Sequence, residues 1–450
     1  MHVSKRFEKQ GYRFWLKHLA VKAFLIAYGL MVLTACQTTG RSDSPLLVGP
    51  SIPVNPISDS ENEKLMNAEV FLDVAVPIFD PGFPIDSRSG EIDYEELDDE
   101  GIWPQLRRTE AKLFAVETKN ALQSKKVFGS VSVVPDLSTP SDLFVIGTIN
   151  HSDSEVVGLT ITVADSSGEI WGTKDFAHEV STNFFRDQRN QGKNPYQPVF
   201  DQASDYVVSL LSELSEDEKQ QIKNMSLMRY AQYYSPDAFA RYIESDIKRK
   251  NGQRYYKFEL TGMPDESDPM LQRIKELRAQ ELLFVDRLQN NYEEFEAEVE
   301  PSYQTWQEET LPEIQAARDA AIKRNASAAL GIGLGILAAI LAAKSSEKSR
   351  DASRSGSGSG GVGQGIGAVV AGVGAVAAIN EAFKSNSAMK VHSAVIEEKG
   401  QAVDLSVGPT EMEFEDQTIE LQGTAQEQYL QWKTHLRKIF ELERTPDTQL

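Results

Sequence analysis

The apolar positions of this chain change period several times, and each change marks an element. Val70, Leu72, Val74 and Val76 alternate, which predicts a strand within 68–81. Pro77 and the run Asp80-Pro81-Gly82 end it. Residues 91–100 read as an acidic loop. Ala111, Phe114, Ala115, Thr118 and Leu122 then share one face of a helix predicted over 104–126. Strand-like runs follow at 127–134, 143–150, 156–164 and 170–180, with turn chemistry in Asp165-Ser166-Ser167-Gly168. A helix carrying Phe200, Ala203, Val207, Leu210, Leu211 and Leu214 closes the segment. The order β-α-β-β-β-β-α predicts an α+β fold, an antiparallel sheet with packed helices, over 68–214.

Beyond 214 the pattern becomes helical. Ser215-Glu216-Asp217-Glu218 has the form of a capping box. Ser235-Pro236 opens a second helix with Phe239, Tyr242 and Ile243, and Tyr255, Phe258 and Leu260 suit a short strand. The tyrosines at 230, 233, 234 and 242 are expected to be core residues with hydroxyls at the rim. From Pro269 a long helix is predicted. Leu277, Phe284, Leu288, Tyr292, Phe295, Val299, Tyr303 and Trp306 make one broad stripe, with Pro301 expected to kink or interrupt it. Its opposite face is acidic, from Glu293 to Glu300. The stripe suits either a partner-binding helix or one packed on its own domain. This helical region covers 215–325.

Two charge-free, glycine-rich runs, 326–343 and 361–379, each have about the length that crosses a bilayer core. Gly331 and Gly335 lie four apart, as do Gly363 and Gly367, so each pair opens one helix face to close approach. With the Ser/Gly linker between them, 326–379 predicts a helical hairpin, inserted in a membrane or buried as a pair. It resembles the glycine-zipper hairpins of bacterial envelope proteins. A Gly-x-Gly-x-x-Gly match at Gly358, Gly360 and Gly363 follows a linker rather than a strand, so no dinucleotide site is expected. The remainder, 380–450, reads as a β-hairpin from the runs 402–407 and 412–421, followed by an amphipathic helix with Tyr429, Trp432, Leu436, Ile439 and Phe440.

The amino-terminal pattern concerns targeting rather than fold. Lys5, Arg6, Lys9, Arg13, Lys17 and Lys22 precede an apolar run from Ala23 to Val32, then Leu33-Thr34-Ala35-Cys36. These are the parts of a secretory signal over 1–35. Cys36 is the single cysteine of the 450 residues. Its place resembles the lipobox of bacterial lipoproteins, which implies lipidation at Cys36. Gln37 rather than Asp then implies the outer membrane of a Gram-negative cell, with the protein facing the periplasm. Residues 36–67, rich in Ser, Pro, Asn and Thr, read as a tether.

Charge and candidate chemistry narrow the function further. The formal net charge is −21, and loss of the leader would remove six Lys/Arg against one Glu. So acidic a chain is not expected to bind nucleic acid. The histidines beyond the leader, His151, His178, His392 and His435, have no metal spacing, and no His-Glu-x-x-His or Gly-x-Ser-x-Gly occurs. No cofactor or metal is expected. The text Phe128-Gly129-Ser130-Val131, with Ser141 to Ile149, resembles small domains of the curli-secretion lipoprotein and of the Tol-system propeller protein. Those bind partners or oligomerise. The expectation is a non-enzymatic structural or assembly factor, held to the membrane by its lipid and hairpin, with envelope proteins or its own copies as partners. The alternative is an envelope hydrolase with dispersed carboxylates, which need no local motif.

Overall fold

The computed structural model describes residues 59–250, 253–325, 389–415 and 417–444. The leader, most of the tether, the glycine-rich hairpin, and with them Cys36, Gly331, Gly335, Gly363 and Gly367, lie outside the described residues.

Helix α1 (Asp59–Met66) leads to strand β1 (Val74–Pro77). Pattern alone gives a loop at 91–100; the structure places α2 (Tyr94–Asp99) there, because the Asp93 carboxylate accepts from the amides of Glu95 and Glu96. Helix α3 (Pro104–Ser124) begins with proline in its first turn, where the missing N–H costs nothing. Strands β2 (Val131–Val134), β3 (Leu143–Ser152), β4 (Val156–Asp165) and β5 (Ile170–Glu179) precede α4 (Gln197–Ser212).

The α+β class stands, with one refinement of the sheet. Its order is β2-β1-β3-β4-β5, and only β3-β4-β5 form an antiparallel meander. Strand β1 is parallel to both β2 and β3. The cause is the helical crossover through α3, which returns the chain to the end of the sheet from which β1 started. Strand β1 is also shorter than the alternation 68–81 predicts. Gly147 on β3 lets the sheet close onto Phe79, since a Cβ there would meet the ring at 2.3 Å. The face away from the helices is polar, with Asn150 donating to Thr160 at 2.8 Å and Thr162 meeting Thr173 at 3.0 Å.

Helix α5 (Glu216–Tyr234) starts at the capping box, with Glu218 N donating to Ser215 Oγ and Ser215 N to the Glu218 carboxylate. Helix α6 (Pro236–Phe239) is a single turn. The helix expected to include Ile243 therefore stops short, and strand β6 (Ile243–Lys250) pairs with β7 (Gln253–Leu260) as a hairpin. Tyr230, Tyr234 and Phe239 are core residues, whereas Tyr242 is half-buried and Tyr233 is exposed.

Helix α7 (Pro269–Asn325) has 57 residues and runs through Pro301 and Pro312 without interruption. Each internal proline costs about 3 kcal/mol. Against that, Phe295, Val299, Tyr303, Trp306, Leu311 and Ile314 are buried across the same turns. Each contributes about 1.5–3 kcal/mol, so burial outweighs the prolines. All eight residues of the apolar stripe are buried against this chain's own body. Of the two uses the stripe allowed, packing on its own domain is the one observed.

The tail contains α8 (Lys390–Lys399), a hairpin of β8 (Thr410–Phe414) and β9 (Gln417–Leu421), and α9 (Ala425–Arg444). The hairpin forms within 410–421 instead of between 402–407 and 412–421. Glu415 permits the reversal by taking a φ of 51°. A single apolar core extends from Leu65 to Phe440, drawing on 68–214, 215–325 and 380–450 together.

Phe114 lies where 68–214 meets α7. It is buried and makes edge-on ring contacts with Tyr196, Phe200 and Tyr303 at 6.0, 5.4 and 6.4 Å. Phe114→Ala should cost about 3–5 kcal/mol. The exposed control Val391→Ala should stay within about 0.5 kcal/mol. Urea unfolding of both variants checks the difference.

Candidate functional site

Helix α3 is enclosed on every side. Leu113 and Val116, on the turn opposite the predicted apolar face, are as buried as Phe114. A helix in that position is normally apolar all round. This one buries Arg107, Glu110, Lys112, Glu117 and Lys119 as well. Each must find a partner or pay a desolvation penalty.

The partners come from distant parts of the chain. Glu110 accepts from Arg107 Nε at 3.0 Å, Ser152 Oγ on β3 at 2.7 Å and Tyr303 OH on α7 at 2.7 Å. Burial pushes its carboxyl above the usual range, while Arg107 and the hydroxyls pull it back. Lys112 Nζ donates to the carbonyls of Lys399 and Ala402 at 2.7 and 2.6 Å. Burial lowers that ammonium to about 8, opposed by Asp404. Thr109 donates to the Ile396 carbonyl at 3.2 Å. Gly400 permits this contact, because a Cβ there would lie 2.0 Å from the Gln105 carbonyl oxygen. Lys119 and Asn120 reach Glu293 and Glu296 at 3.1 and 3.0 Å, so part of the acidic face of α7 is turned to this body.

A second buried carboxylate does the same work nearer the start of α7. Glu281 accepts from Tyr230 OH at 2.8 Å and from Tyr429 OH, which joins α5, α7 and α9. Burial raises its carboxyl, and Lys433 opposes the shift. Asp142, fully buried, accepts from the Asp73 amide at 3.0 Å and from Lys223 Nζ at 3.1 Å.

Among the clefts of the described residues, two adjoin α7. One, of about 430 Å³, lies where β2 meets α3 and α7 and includes Lys119, Lys126, Ser130, Asp286 and Glu293. Beside it, Gln289 donates to the Val133 carbonyl and accepts from the Val133 amide, both at 2.9 Å, which gives this sheet edge a side-chain partner. The other, of about 230 Å³, lies between α7 and the segment 398–408 and reaches Lys112. Neither cleft is lined by Glu110, Glu117 or Glu281.

Among the described residues no cluster of three or more His, Cys, Asp or Glu has a metal-binding arrangement. Among the same residues no helix is long and apolar enough to cross a membrane. The lipidation and helix-packing residues predicted from sequence fall outside the described residues. The pattern did not single out the charged residues of α3. The signal available for them was the presence of Leu113 and Val116 outside the predicted face. No protein family, curated protein or solved structure matches the chain. The likeness to small envelope domains therefore rests on the element order and the local sequence of 128–149.

Glu117 gives a pH test of this enclosure. Burial, then Glu296, raises its carboxyl from 4.5 to about 7, against a hydrogen bond from Asn194 at 2.7 Å. Between those pH values the folded chain holds a proton that the unfolded chain has lost. The contribution of Glu117 to stability is therefore full below the unfolded value and declines as pH rises through 7, by on the order of 3 kcal/mol. Glu117→Gln should accordingly gain stability over the parent at pH 8 and little or none at pH 5. Urea midpoints at the two pH values measure this, and an equal gain at both would show that the carboxyl is not raised.

Proposed function

We propose that this chain is a non-catalytic, lipid-anchored envelope protein that acts as a structural or assembly factor through protein contacts. The observation that carries the reading is the order of charges, apolar run and small residues ending at Cys36, the single cysteine. Acylation at Cys36 places the folded body at the periplasmic face of the outer membrane. The runs containing Gly331, Gly335, Gly363 and Gly367 supply a small-residue hairpin for membrane contact or self-association.

The non-catalytic part has separate support. A carboxylate used as acid, base or nucleophile needs an oxygen facing a substrate. Both oxygens of Glu110 and of Glu281 are taken by internal donors, and neither residue lines the 430 Å³ or the 230 Å³ cleft. Their raised values follow from burial within the fold, a structural use that perturbs titration as an active site does.

Mass spectrometry of the mature amino terminus tests the anchor. The expected product begins at Cys36 carrying acyl chains, and Cys36→Ser should accumulate as an unprocessed or mislocalised precursor. A soluble chain beginning at Gln37 would reject the lipoprotein reading.

A further inference from the structure

The β6–β7 ribbon reverses the charge of the protein that bears it. Residues 248–257 contain five Lys or Arg and no Asp or Glu, in a chain of net charge −21. Its base is fixed to the main body. The Phe258 amide donates to the Ser167 carbonyl at 2.8 Å, and the Arg229 guanidinium lies 4.2 Å from the Phe258 ring centroid. Lys257 pairs with Glu169 at 3.1 Å. A Cβ on Gly168 would lie 2.3 Å from the Tyr256 carbonyl oxygen, so the contact with the body reaches the Tyr256 backbone, and beyond it the two strands are held by their own pairing.

Strand register sorts the tip into two unlike faces. Residues directly opposite each other point to the same side. Arg249 is opposite Arg254, and Ile247 is opposite Tyr256. These four share one face, and all are exposed, Ile247 by 52 % and Tyr256 by 61 %. Among the described residues neither Arg249 nor Arg254 forms an ion pair. The other face is balanced: Lys248 pairs with Asp246 at 2.7 Å, and Asp246 is opposite Lys257. Two like charges directly opposed on a hairpin destabilise it. An anion between the guanidiniums would turn that repulsion into a pair of charge-assisted bonds.

We propose that this face is a membrane contact. Arg249 and Arg254 bind phosphates of an anionic phospholipid surface, while Ile247 and Tyr256 enter the interfacial layer beside them. Tyrosine is favoured at that depth, with its ring in the apolar part and its hydroxyl in the wet part. Four side chains on a two-stranded ribbon fall far below the roughly 20–30 residues a side that a stable protein interface uses. A lipid surface needs no such area, because each cation near it contributes separately. The rest of so acidic a body is repelled by an anionic bilayer, so the ribbon also sets the orientation of approach. This contact is independent of Cys36 and of its acylation.

The test uses full-length protein with Cys36→Ser, so that no acyl chain contributes. Binding is measured by co-sedimentation with phosphatidylcholine vesicles and with vesicles containing phosphatidylglycerol. The readout is the ratio of anionic to neutral binding, which simple apolar insertion leaves near one. The parent should prefer anionic vesicles and lose the preference at high salt. Arg249→Gln with Arg254→Gln should lower the ratio about 30-fold, and the corresponding pair of lysine substitutions should retain most of it. Ile247→Ser with Tyr256→Ser should weaken binding to anionic vesicles while keeping its salt sensitivity. Circular dichroism confirms that each variant is folded. An unchanged ratio in the glutamine variant overturns the proposal. So does a glutamine variant that changes oligomeric size while binding vesicles normally, which would assign the face to a protein partner.

Discussion

The enclosed helix 104–124 is the constraint on which the remaining packing depends. Its apolar residues face the sheet, α4 and α7 at once, so none of those elements has a complete core without it. Its charged residues make the dependence specific. Arg107 and Glu110 are neutralised by each other and completed by Ser152 and Tyr303. Lys112 is satisfied only by carbonyls 287 and 290 residues further along the chain. An apolar helix of the same shape would pack at least as tightly, because buried ion pairs return little net stability. What the charges impose is position. Sliding α8 by one turn would leave the Lys112 ammonium buried without its two acceptors.

This arrangement also explains what could be read from the sequence. The succession of strands and helices along 68–214, the capping box at Ser215, the start of α7 and the stripe from Leu277 to Trp306 were legible, because each depends on local chemistry or on one period. The parallel pairing of β1 was not legible, since it depends on where a crossover returns the chain. The turn from helix to strand at Ile243 was missed because Phe239, Tyr242 and Ile243 fit a helical spacing while tertiary packing selects a strand. The buried charges of α3 were the largest omission. Charged residues at helical spacing normally mark a solvated face, and only distant partners such as Tyr303, Glu293 and Lys399 reverse that rule.

The same physics separates a rigid body from its contacts with the surroundings. The perturbed carboxylates and Lys112 hold segments of the chain to one another. The groups left for outside partners sit elsewhere, on the ribbon tip with its paired arginines and, by proposal, at Cys36 and in the glycine-rich hairpin.

Helix α3, α7 and the tail form one cooperative unit around buried charges. Native-state hydrogen exchange, followed residue by residue at increasing denaturant, measures that cooperativity directly. The most protected amides of 104–124, of the α7 stripe and of 425–444 should all exchange through global unfolding, with one common free energy. Exchange of 389–444 through a smaller opening that leaves 104–124 protected would contradict it.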